Sequence, residues 1–361
     1  MNLKKVINAS GRMSILGVST MSEYVLEGLA EGGRYYFEME KLVQESGQQV
    51  AKYVHTEHAL ITNSASAAIS LAVAGVISKD NRYLVEHLYE DASLQREILI
   101  MKGHQVDYGA PVDVMIQVGG GKPKGVGYAN GCSIDQIDLA VSENTAAILF
   151  VQSHHCVQKN MPSLKEVSEW ARQKNLPLIV DAAAEEDIAG FGEIADLVIF
   201  SGSKAIQGPT SGILAGKAEL IKYATLHMKG VGRAMKVGKE AIFGLLHALE
   251  QFVTEQSDVS LQLADLEKLK QLNKWSGVKI TIEVDESGRE IYRGRVHVGA
   301  EAPLDASTLV DQLKDGNPAI YTRDYHANEG HFDIDPRPLF PGEMDIIVQE
   351  ISHLIGGGQD G

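Results

Sequence analysis

The chain has 361 residues, of which 44% are hydrophobic and 22% charged, and its formal net charge is −15. This composition is ordinary for a globular protein with a large core, whereas the negative charge argues against a nucleic-acid partner, which requires a dense positive surface. No stretch approaches the roughly 20 apolar residues of a membrane span, and two cysteines, Cys132 and Cys156, offer no disulfide framework, which favours the reducing cytoplasm.

From the N-terminus to about residue 240, the hydrophobic pattern alternates between helices and strands. Helices are predicted over 22–29, 39–54, 65–76, 93–102, 133–142 and 163–174. Strands are predicted over 59–62, 82–86, 112–118, 146–151, 178–181, 197–200 and 211–215. This alternation predicts an α/β fold with a mainly parallel sheet covered by helices on both faces.

The character of the sequence changes after about residue 240. Two helical patterns are followed by strands over 278–284 and 292–298, a helix over 306–314, a strand over 319–322, a further segment over 330–335 and a final helix over 342–354. This order is typical of a smaller α+β domain. We therefore predict an N-terminal arm and helix over 1–45, a large α/β domain over 46–240 and a small C-terminal α+β domain over 241–361.

Two predicted strands each place one charged residue at their carboxyl end, Asp181 in Leu-Pro-Leu-Ile-Val-Asp-Ala and Lys204 in Ser-Gly-Ser-Lys-Ala. Ligands of open α/β sheets bind at that edge. A lysine that can form a Schiff base, together with an aspartate that can keep a pyridine nitrogen protonated, suits pyridoxal phosphate. Taken alone, the pair also fits a helix-capping aspartate and a solvent-exposed lysine.

The segment Thr-Asn-Ser-Ala-Ser-Ala-Ala leaves the strand that ends at residue 62 and enters an Ala-rich helix. Backbone amides at a helix N-terminus and the hydroxyls of Ser64 and Ser66 form an anion site, and the alternative is an ordinary helix cap. Ser201 and Ser203 flank the lysine and offer further donors to the same phosphate group.

Other polar residues are weaker candidates. His154 and His155 follow the strand that ends at residue 151, and stacking on a cofactor ring or handling a substrate hydroxyl suits them better than a metal site, because no ligand spacing accompanies them. Lys122 follows a Gly-Gly-Gly turn and is a candidate for a substrate phosphate, and the alternative is a lysine on a solvated face. Arg323 and Arg337 lie beside predicted strands, and either suits a bidentate contact with a carboxylate.

Together these segments resemble the fold-type-I pyridoxal-phosphate enzymes. The resemblance extends over nearly the whole chain and is greatest to the branch that contains selenocysteine synthase and the D-glucosaminate-6-phosphate ammonia-lyases. It also includes Asn-Ala-Ser-Gly near the N-terminus, the 93–101 segment, Ser-His-His and Ser-Gly-Ser-Lys-Ala-Ile-Gln-Gly-Pro-Thr-Ser-Gly. It implies a large domain with a seven-stranded sheet and a smaller C-terminal domain.

The resemblance also implies roles for individual residues. Lys204 would be the Schiff-base lysine, Asp181 the partner of the pyridine nitrogen and His155 a polar residue near the ring. The cofactor phosphate would be held by Ser64, Ala65, Ser66, Ser201 and Ser203. Substrate contacts would come from Arg96, Lys122, His154 and Arg337, with Arg337 preferred for the carboxylate.

The reaction implied is α,β-elimination from a 2-amino-3-hydroxy sugar acid such as D-glucosaminate 6-phosphate, in a cytoplasmic homodimer or larger homo-oligomer. The negative charge argues against a tRNA substrate. Aldol cleavage, transamination or sulfur or selenium transfer on the same scaffold remains an alternative. A non-catalytic ligand-binding protein is a further alternative, although a pure binding module has no need of a nucleophilic lysine.

Overall fold

The computed structural model of the protein describes residues 3–91, 93–153, 156–254, 259–285 and 290–357. Contacts between Cα atoms divide the chain into two compact units, which we call the large unit (Met21–Glu255) and the small unit (Met1–Thr20 with Gln256–Gly361). In the part of the chain that the structure describes, every helix is too short or too polar to cross a membrane.

The secondary-structure elements are numbered in chain order. The strands are β1 Val6–Ala9, β2 His58–Thr62, β3 Glu97–Met101, β4 Lys122–Val126, β5 Thr145–Val151, β6 Leu178–Asp181, β7 Leu197–Ser201, β8 Gly212–Gly216, β9 Val278–Val284, β10 Tyr292–Val298, β11 Ala319–Thr322 and β12 His331–Ile334. The α-helices are α1 Glu23–Arg34, α2 Met39–Tyr53, α3 Ala65–Ser78, α4 Val112–Val118, α5 Ile134–Ala140, α6 Leu164–Lys174, α7 Ala218–Leu226, α8 Lys239–Thr254, α9 Val259–Lys268, α10 Ala306–Asp315 and α11 Glu343–Ile355.

The large unit is built on a seven-stranded sheet in the order β2-β8-β7-β6-β5-β3-β4. Strand β8 is antiparallel to both of its neighbours, and the other strand pairs are parallel. Because β2 and β7 both oppose β8, they run in the same direction, and the carboxyl ends of six strands meet at one edge, which we call the carboxyl edge. This arrangement confirms the predicted α/β class with a mainly parallel sheet.

The central strands are apolar on both faces because helices cover both faces. In β5, Ile148 and Phe150 belong to one hydrophobic core, whereas Leu149 and Val151 belong to the other. Side chains alternate across a strand, so a strand between two cores reads as a continuous apolar run. This is why the sequence pattern identified the strands that end at Val151, Asp181 and Ser201.

Three predicted elements are wrong. The 82–86 segment is a 3-10 helix over Arg82–Val85, the predicted helix over 93–102 contains strand β3, and the predicted strand over 112–118 is helix α4. Short apolar runs do not distinguish a buried strand from a helix by periodicity alone. In α4 the buried positions are Val112 and Ile116, which have helical spacing. Strand β4, which pairs with β3, was missed.

The small unit contains a three-stranded antiparallel sheet in the order β12-β10-β9 and a parallel pair, β1 with β11. Its core includes apolar side chains of α10 and α11, such as Leu309 and Ile347. This confirms the predicted small α+β domain.

The unit boundaries differ from the predicted domain boundaries at 45/46 and 240/241, which remain predictions. Helix α8 belongs to the large unit because it packs against α1 and α2. Strand β1 belongs to the small unit because it pairs with β11. Neither long-range contact is visible in local composition.

Candidate active site

A buried carboxylate lies at the centre of the carboxyl edge. Asp181 is the last residue of β6, where it lies opposite Val151 of β5 and Ile199 of β7. Its side chain is buried, and Oδ1 accepts a hydrogen bond from the Ala183 N–H at 3.1 Å. Burial raises the pKa of Asp181, while the Ala183 N–H and the positive charge of Lys204 lower it. A cation close to this carboxylate would therefore stabilise its charged form.

Lys204 lies in a tight loop that follows β7. The Gly202 N–H donates to the Ser211 carbonyl at 3.0 Å, and the Gly208 N–H donates to the Gly202 carbonyl at 2.7 Å. A Cβ at Gly202 would overlap the Ser211 hydroxyl, so the loop closes only with glycine at that position. These backbone hydrogen bonds hold the half-buried Lys204 near the end of its strand.

The N-terminus of helix α3 reaches the same edge through β2. The Ser64 hydroxyl accepts a hydrogen bond from the Ala67 N–H at 3.1 Å and caps the helix, which leaves the Ala65 and Ser66 N–H groups in its first turn. Gly212 of β8 pairs with Thr62 of β2 on one side and with Ser201 of β7 on the other. The start of α3 and the lysine loop thus follow β2 and β7, the two strands that pair with β8 on either side.

Two serines flank the lysine as the sequence predicted. Ser201 ends β7 and is buried, and its hydroxyl lies 3.3 Å from the hydroxyl of Ser203. Backbone and side-chain donors at a helix N-terminus suit an anionic group. A phosphate group requires hydrogen-bond donors of this kind, and they are available at Ser64, Ala65, Ser66, Ser201 and Ser203.

Asn63, just before α3, connects the start of this helix to a distant segment of the large unit. Its backbone N–H donates to the Met235 carbonyl at 3.1 Å, and its Nδ2 donates to the Ala234 carbonyl at 3.2 Å. Both acceptors belong to the 3-10 helix Val231–Met235. The sequence did not predict this contact, because Asn63 and Ala234 are 171 residues apart in the chain.

Tyr108 is a candidate site residue that the sequence analysis missed. Its hydroxyl is buried and has no hydrogen-bond partner among the described residues. Burial and the negative charge of Asp181 raise the pKa of Tyr108, whereas the nearby Ser66 hydroxyl lowers it. An unpartnered buried hydroxyl with these neighbours fits a ligand that carries hydrogen-bond acceptors. The residue was overlooked because β3, which precedes it, was predicted as a helix.

His104 is a second buried polar residue after β3. Its Nδ1 accepts a hydrogen bond from the Val151 N–H at 3.2 Å, and burial lowers its pKa to about 4. The ring is therefore neutral, with its proton on Nε2, and Nε2 has no partner among the described residues. Its ring meets Phe150 edge-on at 4.6 Å between centroids.

Two predicted substrate residues lie at the amino edge of the sheet. Arg96 is buried just before β3, where its guanidinium donates to the backbone carbonyls of Leu88, Asp91 and Gly120. Lys122 begins β4 and lies beside Glu97 in the same register. Both residues precede parallel strands and so lie at the amino edge of the sheet, opposite the edge that holds Asp181.

The structure does not test the roles predicted for Arg337, His154 and His155. Arg337 belongs to the small unit, where its Nε and Nη2 donate to the two carboxylate oxygens of Asp335 at 2.9 and 2.7 Å. His154 and His155 lie outside the described residues. Among the residues that the structure does describe, no group of three His, Cys, Asp or Glu side chains is arranged to hold a metal ion.

The two thiols are poorly suited to nucleophilic chemistry. Burial, with a smaller effect of the Asp181 charge, raises the pKa of Cys156 to about 12. Burial also raises the pKa of Cys132. Since the thiolate is the nucleophilic form, this disfavours the alternative of sulfur transfer through a cysteine.

Comparison with known proteins identifies the family of the chain. The model of the "Beta-eliminating lyase" family matches residues 17–280. The chain is 41% identical over 357 residues to a D-glucosaminate-6-phosphate ammonia lyase of Salmonella typhimurium, covering 98% of this chain and 96% of the relative. A solved structure of a D-glucosaminate-6-phosphate ammonia-lyase superposes with a TM-score of 0.93, at 41% identity, covering 99% of this chain and 97% of that one.

More distant relatives catalyse other reactions. A 5'-C-glycyluridine monooxygenase-decarboxylase of Streptomyces sp. is 34% identical, with coverage of 99% of this chain and 92% of the relative. An L-seryl-tRNA(Sec) selenium transferase of Alkaliphilus oremlandii is 28% identical, with coverage of 98% and 83%. This confirms the predicted resemblance to the selenocysteine synthase branch.

The sheet order and the carboxyl-edge site define the class of the fold-type-I pyridoxal-phosphate enzymes. Within that class the chain belongs to the β-eliminating lyase family, and it is a pyridoxal-phosphate-dependent lyase.

Proposed function

We propose that the protein catalyses α,β-elimination from D-glucosaminate 6-phosphate, giving 2-keto-3-deoxy-6-phosphogluconate and ammonia. The observation that carries this proposal is that buried Asp181 ends β6 at the carboxyl edge and that Lys204 follows β7, the strand paired with β6. The substrate is proposed from the relative that is 41% identical over nearly the full length of both chains.

The residues of the large unit fit the cofactor. When bound, pyridoxal phosphate supplies an electron sink that accepts the electron pair left by the departing α-proton. Asp181 would keep the pyridine nitrogen protonated, and the resulting positive charge would offset the burial that raises the pKa of its carboxyl group. The first turn of α3, Ser201 and Ser203 would hold the phosphate, and the Tyr108 hydroxyl would find its missing partner on the bound group.

Lys204 would hold the cofactor before substrate binds and then act as a base. Its Nζ takes the α-proton of the substrate and returns a proton to the 3-hydroxyl, which leaves as water. His155 is the alternative donor of that proton. Hydrolysis of the remaining carbon–nitrogen linkage releases ammonia and the 2-keto acid. We also propose that the protein forms a homodimer or a larger homo-oligomer, which light scattering tests.

The first experiment identifies the lysine. The purified chain is incubated with pyridoxal phosphate, reduced with borohydride and digested, and the masses of the peptides are measured. We expect the reduced adduct on Lys204, and none there in Lys204→Ala. Lys217→Ala is the matched control, because Lys217 is exposed and pairs with Asp196 at the amino edge. An unmodified wild-type chain would contradict the proposed use of the cofactor.

The second experiment identifies the reaction. Ammonia and 2-keto acid are measured with D-glucosaminate 6-phosphate and no added acceptor, and we expect equal amounts of both from the wild type and the Lys217→Ala control. Loss of both products is expected in Lys204→Ala. Oxygen consumption would favour chemistry like that named for the 34% relative, and a requirement for a keto-acid acceptor would favour transamination. Either result would replace the proposed elimination.

A further inference from the structure

Strand β5 extends beyond the strand that pairs with it on one side. Its pairing with β3 ends at Leu149, whereas its pairing with β6 continues to Val151, which lies opposite Asp181. The Gln152 N–H donates to the Asp181 carbonyl at 2.8 Å, and N–H groups alternate in direction along a strand. The Val151 N–H therefore faces the side where β3 has already ended. Val151 is buried, and a buried backbone N–H without an acceptor costs free energy.

His104 supplies the missing acceptor. Its Nδ1 accepts a hydrogen bond from the Val151 N–H at 3.2 Å, and the residue is 0% exposed. His104 ends the 3-10 turn Lys102–His104 directly after β3, and the Val157 N–H holds this turn by donating to the Gly103 carbonyl at 3.0 Å. The imidazole thus replaces the backbone carbonyl that a longer β3 would provide.

The same imidazole carries a cost. Its Nε2–H has no partner among the described residues, although the ring is fully buried. Burial lowers the pKa of His104 to about 4, so Nδ1 stays an acceptor at neutral pH. An apolar side chain of similar size would fill this space without an unpaired donor. Packing alone therefore does not explain an imidazole here, whereas the acceptor for the Val151 N–H does.

We propose that His104 is a positioning residue of the active site. It fixes the carboxyl end of β5, and the Gln152 N–H transmits this position to the backbone of Asp181 on the neighbouring strand. The Asp181 carboxylate is thereby held where the pyridine nitrogen of the cofactor would bind. The inference rests on the proposed role of Asp181, and His104 acts on the site through backbone hydrogen bonds rather than through contact with a ligand.

Three variants of His104 separate the acceptor from the packing. In His104→Asn the side-chain carbonyl lies near the position of Nδ1 and accepts from the Val151 N–H, whereas in His104→Gln the amide lies near the position of Nε2 and does not reach it. His104→Leu removes both polar atoms.

Ser168→Ala is the matched control. The buried Ser168 hydroxyl donates to the Ile194 carbonyl at 2.6 Å, ahead of β7 at the amino edge of the sheet. This variant therefore also loses one hydrogen bond between a buried side chain and the backbone, but at the edge opposite to Asp181.

The first measurement is amide hydrogen exchange of the cofactor-free, full-length protein, followed by the masses of peptides that cover Val151 and Gln152. We expect exchange about fivefold faster than wild type in His104→Leu and His104→Gln, the effect of one lost hydrogen bond. The rate should stay within about twofold of wild type in His104→Asn and Ser168→Ala. Wild-type exchange in His104→Gln would overturn the proposal, and the comparison of Gln with Asn decides the matter if His104→Leu does not fold.

The second measurement is the steady-state rate of the cofactor-loaded enzyme. We expect kcat for ammonia release to be about tenfold lower in His104→Leu and His104→Gln, with KM within about twofold of wild type, because a displaced Asp181 affects the reacting cofactor and not substrate binding. His104→Asn should recover about half of the wild-type kcat or more, and Ser168→Ala should retain kcat although it loses stability in urea. Lower stability of His104→Gln with unchanged kcat would make His104 purely structural and refute the proposal.

A third measurement keeps this inference distinct from the proposed function. If the wild type releases no ammonia, the proposed reaction fails, but the affinity for pyridoxal phosphate still reports on the position of Asp181. We expect equilibrium dialysis to show an affinity about threefold to tenfold weaker in His104→Gln than in His104→Asn. Equal affinities in these two variants would exclude a positioning role for His104.

Discussion

Gly212 lies directly against Ser64. A Cβ at position 212 would overlap the backbone carbonyl of Ser64 and would lie 2.5 Å from the Ala65 nitrogen. The first turn of α3 can therefore approach β8 only because residue 212 has no side chain. The position of the proposed phosphate site depends on this contact between two distant parts of the sequence.

Gly212→Ala should displace the start of α3. We expect a loss of about 1–3 kcal/mol in the free energy of unfolding, the usual cost of overpacking, and a weaker affinity for pyridoxal phosphate. Urea denaturation and equilibrium dialysis measure the two effects. Gly33→Ala in α1 is the control, since a Cβ there meets nothing within 4 Å, and it should be neutral or stabilising. Equal behaviour of the two variants would contradict this interpretation.

Asp181→Asn should raise the stability of the cofactor-free protein although it lowers activity. Burial raises the pKa of Asp181 in the folded chain, so its charged form costs stability at neutral pH. We expect the variant without cofactor to be more stable than wild type by about 0.5–2 kcal/mol at pH 8. The difference should shrink as the pH falls through the raised pKa, because wild-type Asp181 then becomes protonated. Urea denaturation at several pH values tests the sign.

The same variant should lose catalysis. Without a carboxylate at the pyridine nitrogen, we expect kcat for ammonia release to fall at least about a hundredfold, the scale for losing one preorganised electrostatic group. Reduction with borohydride should still place the adduct on Lys204. Retention of wild-type kcat would exclude the proposed role of Asp181.

Tyr108→Phe should affect the cofactor more than the fold. Its hydroxyl has no partner among the described residues, so its removal should leave the free energy of unfolding of the cofactor-free protein unchanged or slightly higher. Affinity for pyridoxal phosphate should fall about threefold to tenfold, as for one lost hydrogen bond. A large loss of stability with unchanged affinity would show that the hydroxyl serves only the core.

Arg96→Met should act on stability and not on substrate binding. Removal of its guanidinium leaves the buried carbonyls of Leu88, Asp91 and Gly120 without a donor, and we expect a loss of about 1–3 kcal/mol. KM measured on the folded fraction should stay at the wild-type value. Lys122→Ala is the exposed control at the same edge and should change neither quantity. A raised KM in either variant would restore the predicted substrate role.

Alkylation of Cys156 tests whether the reaction uses a cysteine nucleophile. Because the pKa of Cys156 is raised to about 12, its thiol should resist iodoacetamide at neutral pH and react only after unfolding. Cys156→Ala should retain ammonia release. Loss of activity in Cys156→Ala at unchanged stability would revive sulfur transfer as an alternative.

The sequence predicted the position of the candidate site residues that end or follow a strand. Asp181 and Lys204 end or follow apolar runs, and the sheet direction then brings them to one edge. The position of Arg96 and Lys122 before β3 and β4 was not predicted, because the 93–102 segment was taken for a helix and β4 was missed. Their substrate roles remain predictions. Tyr108 was missed because the same segment was taken for a helix.

Other features depend on long-range contacts that a single sequence does not display. Nothing local shows that Arg337 donates to both carboxylate oxygens of Asp335, or that the Asp335 N–H donates to the distant Ala9 carbonyl. The contact of Gly212 with Ser64 requires a strand pairing that spans 150 residues. Such pairings are set by tertiary packing and not by local propensity.

The single antiparallel strand β8 also sets an order of events during synthesis. Strand β2 lies at the sheet's end and pairs only with β8, so the start of α3 is not anchored to the sheet until Gly212–Gly216 has left the ribosome. A nascent chain that ends before β8 already carries Ser64, Asp181 and Lys204 but has no framework that holds them together. Cofactor capture therefore requires a nascent chain that extends beyond β8, and Asn63 gains its acceptors only after Ala234 and Met235 have followed.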